Sequence, residues 1–252
     1  MAPAAGRPPV AGCTGRQDRF MDRYSDFLGF SLAAGFTWEG NSAGAALRVR
    51  TWCDTDLALE AGASHFGMVT RGNPELREPG HPRWLLEPAS YFLAPGPGRL
   101  AGRDSAGLLV SVAGYRGLRQ FGGPVGGPGR LQYIDGCSDT LLIAPPVWGE
   151  PCLNQLHIPP GVRQTPHTHP SVRLGVVLWG AGRCRTRDGV HELSPGLGWC
   201  IPEGCVHAFE TDSESLEILA WHPDSDFGPT DAVHPMRNRT ILAGEAAPEP
   251  QG

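Results

Sequence analysis

The chain has 252 residues, 40% of them apolar, and a formal net charge of −5. This acidic balance excludes a broad electrostatic attraction to nucleic acid or to anionic membranes. All 21 basic residues are arginines, so covalent catalysis through a lysine Schiff base is excluded as well.

The ends and the middle of the chain differ in composition from the rest. Residues 1–16 and 243–252 are rich in Ala, Pro and Gly, and we predict that both are disordered. Residues 17–30 place aromatic side chains near helical spacing and predict a short helix. Residues 121–130, FGGPVGGPGR, predict a flexible linker. The sequence therefore divides into a first unit, residues 17–120, and a second unit, residues 131–242.

The expected compartment follows from the apolar runs, the N-terminus and the cysteines. No run approaches the ~18 apolar residues of a membrane span, and the first 17 residues show no secretory signal. The seven cysteines are odd in number, and none is spaced as Cys-x-x-Cys. We therefore expect reduced thiols in a cytoplasmic protein, without a cysteine-based zinc site.

From residue 45 onward, short apolar runs alternate with Gly and Pro turns, which is typical of an all-β chain. Two stretches recur 107 or 108 positions later: residues 67–72 match 175–180, and residues 86–95 match 193–202. This predicts two related β units; chance similarity between Gly- and Pro-rich strands is the alternative. No His-x-His stands at the corresponding place in the first unit, so we expect that unit to be metal-free.

Three histidines lie within residues 161–207. His167 and His169 are separated by one residue, and on an extended strand such a pair projects both imidazoles to the same face. His207 can complete a three-His set with coordination positions left open for a substrate. We interpret these histidines as a metal site; exposed loop histidines are the alternative.

The same residues resemble two motifs of the cupin superfamily. The first motif, G-x5-H-x-H-x(3,4)-E-x6-G, and the second, G-x5-P-x-G-x2-H-x3-N, occur in order, with Thr211 in place of the Asn. The matching positions are Gly161, His167, His169 and Gly180, then Gly196, Pro202, Gly204 and His207. The resemblance covers residues 131–225 and, through the repeat, implies a bicupin: two jelly-roll β-barrels in tandem, the first one degenerate.

One position departs from the motif. Arg173 stands where the family has its carboxylate ligand, and a guanidinium has no lone pair to bind a cation. The resemblance therefore implies a metal held by His167, His169 and His207 alone. Iron(II) fits best, while nickel, copper, manganese and zinc remain open. Superfamily members with three His and no Glu include thiol dioxygenases and ring-cleaving dioxygenases, which use Fe(II) and molecular oxygen.

Four further roles follow from these expectations. Arg173, if it points into the barrel, clamps a substrate carboxylate; otherwise it pairs with an internal acid (Asp135, Asp139 or Glu217) or turns outward. His157 is a candidate acid/base, with Gln155 on the same cavity-facing side of its strand, and Trp199 is a candidate stacking surface. For these three, structural roles are the alternative. We expect Asn154 and Leu156 to face away from the cavity, and His222 and Asp224 to be surface residues.

The leading functional hypothesis is a mononuclear Fe(II) dioxygenase acting on a small anionic organic molecule. A non-catalytic binding or sensor protein is one alternative, and a zinc- or manganese-dependent isomerase, lyase or hydrolase is another. We expect a small-molecule substrate and neither nucleic acid nor membrane as a partner. For the first unit, a cover over the barrel mouth and a homodimer interface are both open.

Overall fold

The computed structural model describes residues 26–233, and these form an all-β structure. Within this range, the short 3-10 turns Leu32–Ala34 and Ile134–Gly136 are the only helical segments. Neither of them has the length or the apolar character needed to cross a membrane. The predicted disordered ends, residues 1–16 and 243–252, lie outside the described residues.

The strands are short, as the closely spaced turns predict. Eleven of them precede residue 123: β1 (Leu28–Ser31), β2 (Thr37–Ser42), β3 (Ala45–Cys53), β4 (Leu57–Leu59), β5 (Ala63–Arg71), β6 (Glu75–Arg77), β7 (Trp84–Leu85), β8 (Tyr91–Pro95), β9 (Gly98–Ala101), β10 (Ala106–Ala113) and β11 (Gln120–Gly122). Nine follow: β12 (Leu131–Gln132), β13 (Ser138–Ile143), β14 (Cys152–Ile158), β15 (Arg173–Gly180), β16 (Gly182–Thr186), β17 (Val190–Leu193), β18 (Leu197–Ile201), β19 (His207–Glu210) and β20 (Leu216–His222).

The strands form two pairs of antiparallel sheets. In the first pair, a six-stranded sheet in the order β11-β8-β5-β10-β3-β2 is matched with a four-stranded sheet, β4-β9-β6-β7. In the second pair, a seven-stranded sheet in the order β1-β18-β15-β20-β14-β13-β12 is matched with a three-stranded sheet, β17-β16-β19. Each pair encloses its own apolar core, so we call the pairs the first and the second barrel.

The two large sheets also pack against each other, so both of their faces are buried. Along β15, Leu174 and Val176 face a core shared with the first barrel, whereas Val177 faces the interior of the second barrel. Across the shared core, the rings of Phe66 and Trp221 are 5.8 Å apart. Because apolar side chains occupy both faces, these strands show no clean alternation of polar and apolar residues in the sequence.

The first strand belongs to the second barrel. Leu28–Ser31 pairs antiparallel with Leu197–Cys200 of β18, and the Phe30 ring lies over Gly198. Phe27 faces the interior of the second barrel, while Phe30 faces the shared core. The helix expected at residues 17–30 is therefore wrong where the chain is described: aromatic residues three apart lie on opposite faces of an extended strand. Residues 17–25 lie outside the described residues.

The repeat seen in the sequence falls on corresponding strands. Residues 67–72 cover the end of β5 and the residue after it, and the matching residues 175–180 lie within β15. In the second matching pair, residues 86–95 contain β8 and residues 193–202 contain β18. Both large sheets place these strands in the same relative order, next to β10 and β3 in one and to β20 and β14 in the other. The two large sheets thus share a strand order; that the two units are related stays a prediction.

The Gly/Pro segment at residues 121–130 connects the barrels and lies against the second one. Its first residues pair with β8, and the carbonyl of Gly127 accepts a hydrogen bond from the Gln155 side chain (2.8 Å). The backbone N–H of Gly129 donates to Ser138 Oγ (2.7 Å). The segment expected to be flexible is thus held by specific hydrogen bonds at several points.

Candidate metal centre

Backbone hydrogen bonds bring the two histidine segments together. The N–H of His167 donates to the carbonyl of His207, and the N–H of His207 donates to the carbonyl of His167, each at 2.9 Å. The N–H of Gly204 also donates to the carbonyl of His169 (3.0 Å). Two stretches about 40 residues apart are therefore fixed side by side by the backbone itself.

The three imidazoles converge at one end of the second barrel. One ring nitrogen from each of His167, His169 and His207 lies within 4.8 Å of the others. The ring centroids are separated by 4.4 Å between His167 and His207, and by 5.1 Å for the other two pairs. His207 is buried, and His167 and His169 are partly exposed. The centre therefore has a closed side and an open side.

The hydrogen bonds of two rings fix which nitrogen is free. Nδ1 of His167 contacts the carbonyl of Thr165, and Nδ1 of His207 contacts the carbonyl of Cys205, each at 3.0 Å. A carbonyl oxygen only accepts, so both Nδ1 atoms carry a proton, and in the neutral tautomer of each ring the lone pair is then on Nε2. Nε2 of His207 is buried and has no hydrogen-bond partner among residues 26–233. A bound cation would satisfy this nitrogen.

Two of the rings, those of His169 and His207, are held in the neutral form that a metal requires. Burial, followed by the nearby Arg173 guanidinium, lowers the pKa of His169 to about 3. Burial also lowers the pKa of His207 to about 4, against an opposing effect of its hydrogen bond to Cys205. Neutral imidazoles offer lone pairs without first losing a proton. The residues present therefore fit a divalent cation.

Hydrogen bonds made by Asp135 and Gln164 fix the position of the segment that carries His167. Asp135, which adopts a left-handed backbone conformation (φ 55°), accepts hydrogen bonds from the backbone and the hydroxyl of Thr165. Buried Gln164 accepts from the backbone N–H of Phe209 (3.0 Å) and donates to Cys137 Sγ (3.3 Å). These bonds position the carbonyl of Thr165, which in turn orients His167.

Arg173 faces the interior of the second barrel. It lies two and four residues before Gly175 and Val177 on the same face of β15, and its side chain is 13% exposed. Its Nη1 donates to Ser171 Oγ (2.6 Å), and Asp224 Oδ1 lies 3.8 Å away. Nε and Nη2 make no hydrogen bond to any residue in the described range. One edge of the guanidinium is thus anchored, and the other is available.

Trp199 lies deeper in the same barrel. It is 1% exposed, and its ring contacts Phe209 edge-on at 6.0 Å, while Phe209 contacts His207 at 5.8 Å. The indole therefore supports the centre through Phe209, as part of the apolar core. As a stacking surface for a substrate it stays a prediction.

His157 and Gln155 do not face the centre, so their predicted cavity positions are wrong. On β14, it is Leu156 and Ile158 that pack in the barrel interior. Nδ1 of His157 contacts Glu217 Oε2 (2.8 Å), and the Gln155 amide donates to Glu217 Oε1. All three side chains lie on the opposite face of the sheet. Asn154 and Leu156, expected to face away, are the residues that face inward.

The inward face instead contains Cys152, which no motif singles out, and His222, which we expect from the sequence to be a surface residue. The carbonyl of Asp224 accepts from Nδ1 of His222, so Nε2 of His222 accepts the thiol proton of Cys152 (Sγ–Nε2 2.8 Å). Burial raises the pKa of the Cys152 thiol to about 12. Cys152 and His222 are directly opposite each other on β14 and β20, 70 residues apart, and no motif joins them. The order of the strands is the only signal that could have found them.

Comparisons with known proteins support the fold. Residues 154–222 match the family model described as a cupin domain. No curated protein matches the chain. A cupin 2 conserved barrel domain protein from Leptotrichia buccalis has a TM-score of 0.54 at 15% identity, covering 79% of this chain and 89% of that one.

Two other solved structures extend the comparison. A putative glyoxylate-induced protein from Pseudomonas aeruginosa has a TM-score of 0.59 at 12% identity, covering 91% of this chain and 97% of that one. A salicylate 1,2-dioxygenase variant from Pseudoaminobacter salicylatoxidans, in complex with gentisate, has a TM-score of 0.54 at 10% identity, covering 72% of this chain and 69% of that one. At these identities the likeness concerns the fold.

Proposed function

We propose that this chain, which belongs to the cupin superfamily through its cupin domain at residues 154–222, is a mononuclear metal enzyme. Its most fitting activity is that of a three-His Fe(II) dioxygenase acting on a small organic anion. The observation that carries the proposal is a set of three convergent histidines with an arginine beside them and, among residues 26–233, no carboxylate in the ligand set. The salicylate dioxygenase with the same fold gives a distant precedent.

The three histidine ligands support the proposal that the bound cation is redox-active. His167, His169 and His207 would hold the metal through neutral nitrogens, leaving its charge uncancelled and several coordination positions open. When bound, iron(II) would supply the electron transfer needed to activate molecular oxygen. The chain's own contribution is to orient the imidazoles by hydrogen bonds at Nδ1 and to exclude water on the buried side of His207.

The position and free donors of Arg173 support the proposal that the substrate is an anion. Its free Nε and Nη2 form the fork geometry that binds a carboxylate through two parallel hydrogen bonds. Its Nη1 is held by Ser171, so the side chain is oriented before the substrate arrives. Such a clamp would fix the substrate beside the histidines and remove most of its rotational freedom.

The alternatives differ in metal content. A zinc- or manganese-dependent isomerase or lyase would use the same nitrogens and the Lewis acidity of the cation. A non-catalytic binding protein would need no particular metal. Elemental analysis of the purified protein separates them: iron favours the dioxygenase, zinc or manganese favours the isomerase or lyase, and no metal favours the binding protein.

The test of the activity is anaerobic loading with Fe(II) followed by measurement of oxygen uptake. The substrates offered are thiol, phenolic and amino acids. We expect uptake with a subset of the acids and none with their amides, since Arg173 would select the anion. No uptake with any acid, in protein shown to contain iron, would contradict the dioxygenase proposal.

A further inference from the structure

Asp224 lies close to Arg173, although the two residues come from different parts of the chain. Asp224 follows the end of β20, whereas Arg173 begins β15. Oδ1 of Asp224 accepts a hydrogen bond from the hydroxyl of Ser171, 53 positions earlier. The distance from this oxygen to Nη1 of Arg173 is 3.8 Å, which is too long for a hydrogen bond. Asp224 therefore acts on the guanidinium through Ser171.

Ser171 joins the two charged residues, and Asp224 fixes the direction of its hydroxyl. Ser171 is buried, with 1% of its surface exposed. It donates its one hydroxyl proton to Asp224, so its lone pairs are left for Arg173, whose Nη1 donates to Oγ at 2.6 Å. The carbonyls of Ser171 and Val172 also accept from Nη1, at 3.2 and 3.3 Å, and are the longer contacts. The bond between Oγ and Nη1 is thus the one that Asp224 controls.

The loop that carries Asp224 is itself held in place. The carbonyl of Asp224 accepts a hydrogen bond from Nδ1 of His222, and Nε2 of His222 accepts from the Cys152 thiol at 2.8 Å. The carbonyl of the next residue, Ser225, accepts from the backbone N–H of Gly149 at 3.1 Å. The backbone on both sides of the Asp224 carboxylate is therefore fixed, and so is the oxygen that Ser171 contacts.

We propose that Asp224 is a positioning residue for the anion site. Through Ser171 it holds Nη1 of Arg173, so that the other edge of the guanidinium, Nε and Nη2, is directed toward the substrate carboxylate. This inference rests on the proposed function, in which Arg173 binds the anion. An arginine that is already oriented loses less freedom on binding, so the acid binds more tightly than it would to a mobile side chain. The role needs the accepting oxygen of Asp224 and not its charge.

Two neutral variants separate the accepting oxygen from the charge. Asp224→Asn keeps an oxygen that can accept from Ser171, whereas Asp224→Ala does not, and both remove the negative charge. Benzoate and lactate are titrated calorimetrically into the zinc-loaded variants; zinc has no redox chemistry, so binding is read without turnover. We expect Asp224→Asn to bind the acids at least as tightly as the wild type, because a negative charge near Arg173 is removed. Asp224→Ala should bind them about tenfold more weakly than Asp224→Asn.

A double-mutant cycle tests whether Asp224 acts through Ser171. Ser171→Ala alone should weaken acid binding about tenfold. In that background, the difference between Asn and Ala at position 224 should fall to within about twofold, because the hydroxyl that donates to the oxygen is absent. The same two changes at Asp231, an exposed aspartate farther along the chain, are the control and should leave acid binding unchanged. Zinc content and thermal unfolding are measured in parallel.

The outcomes distinguish this inference from the proposed function. Wild-type protein that binds no acid, or an Arg173→Ala variant that binds acids as tightly as the wild type, contradicts the proposed anion site and this inference with it. If Arg173→Ala weakens binding but the folded Asp224→Asn and Asp224→Ala variants bind equally, only the role of Asp224 is overturned. Should Asp224→Ala fail to fold, Ser171→Ala decides: weaker binding with retained zinc supports the role, and unchanged affinity overturns it.

Discussion

Arg173→Ala is the most informative single substitution, because it distinguishes a substrate clamp from a structural arginine. Within residues 26–233, the guanidinium engages only Ser171, Val172 and Asp224, all through Nη1, and two donor groups remain free. Two hydrogen bonds from a cation to a carboxylate are together worth about 3 kcal/mol when the pair is largely shielded from water. The variant should therefore bind a probe acid such as benzoate or lactate about 100-fold more weakly.

Metal binding should respond differently from acid binding. Arg173 lowers the pKa of His169 electrostatically, so its removal leaves the nearby imidazole a better ligand, and metal affinity should stay equal or rise. Arg173→Lys keeps the charge but loses the fork, and we expect an intermediate loss of acid binding, about tenfold. Arg103→Ala, at an exposed position of the first barrel, is the matched control.

The assay is calorimetric titration of the zinc-loaded variants, with zinc content and thermal unfolding measured in parallel. Weaker acid binding with retained zinc and a retained unfolding transition supports the clamp. If Arg173→Ala loses metal and cooperative unfolding together, the arginine is structural and the reasoning for an anionic substrate fails. Acid affinity unchanged from the wild type refutes it equally.

Three further predictions concern stability. Phe30→Ala should destabilise the protein by about 3–5 kcal/mol in denaturant titration, because β1 loses the side chain that it buries in the shared core; a negligible change would show that β1 is not stably paired. Gly175→Ala should prevent folding of the second barrel, since the added Cβ would lie 2.0 Å from the carbonyl of Leu219; normal expression and an unchanged melting temperature would refute this. Burial and the neighbouring Arg173 lower the pKa of His222 from 6.5 to about 4, so the folded metal-free protein excludes a proton that the unfolded chain binds. Its contribution, at most about 3 kcal/mol, is complete above pH 6.5 and is lost as the pH falls through 4. His222→Gln should flatten that part of the stability profile by comparison with the wild type.

The histidine centre was predictable because its signal is local. Two short motifs contain all three histidines, and the backbone bonds between His167 and His207 bring the motifs into contact. The inward orientation of Arg173, one of the alternatives raised by the motif position, also agrees with the structure. It follows from strand parity alone, since Arg173 and Val177 share a face of β15.

The face of β14 was not predictable for a physical reason. Its sequence, Cys152–Ile158, has apolar residues on both faces, because one side lines the barrel interior and the other lies toward the shared core and the linker. Period-two patterning assigns a face only when one side meets water. The pattern therefore predicts His157 and Gln155 in the cavity, whereas the structure places Asn154 there.

Long-range pairing accounts for the other omissions. β1 lies next to β18, about 170 residues further along the chain. The aromatic spacing near Phe30 does not indicate that β18 is its partner. Cys152 and His222 meet only because β14 and β20 are neighbours. Such contacts depend on sheet order, which a single sequence specifies much less directly than local motifs do.

The central claim is that His167, His169 and His207 together bind one metal ion. Its most direct test is the stoichiometry of iron after anaerobic loading and removal of the excess. We predict one iron per chain in the wild type and in the control His81→Ala, an exposed histidine of the first barrel, and loss of iron in His207→Ala with the fold retained. A wild type that retains no metal, or a His207→Ala variant that retains it fully, would contradict the account.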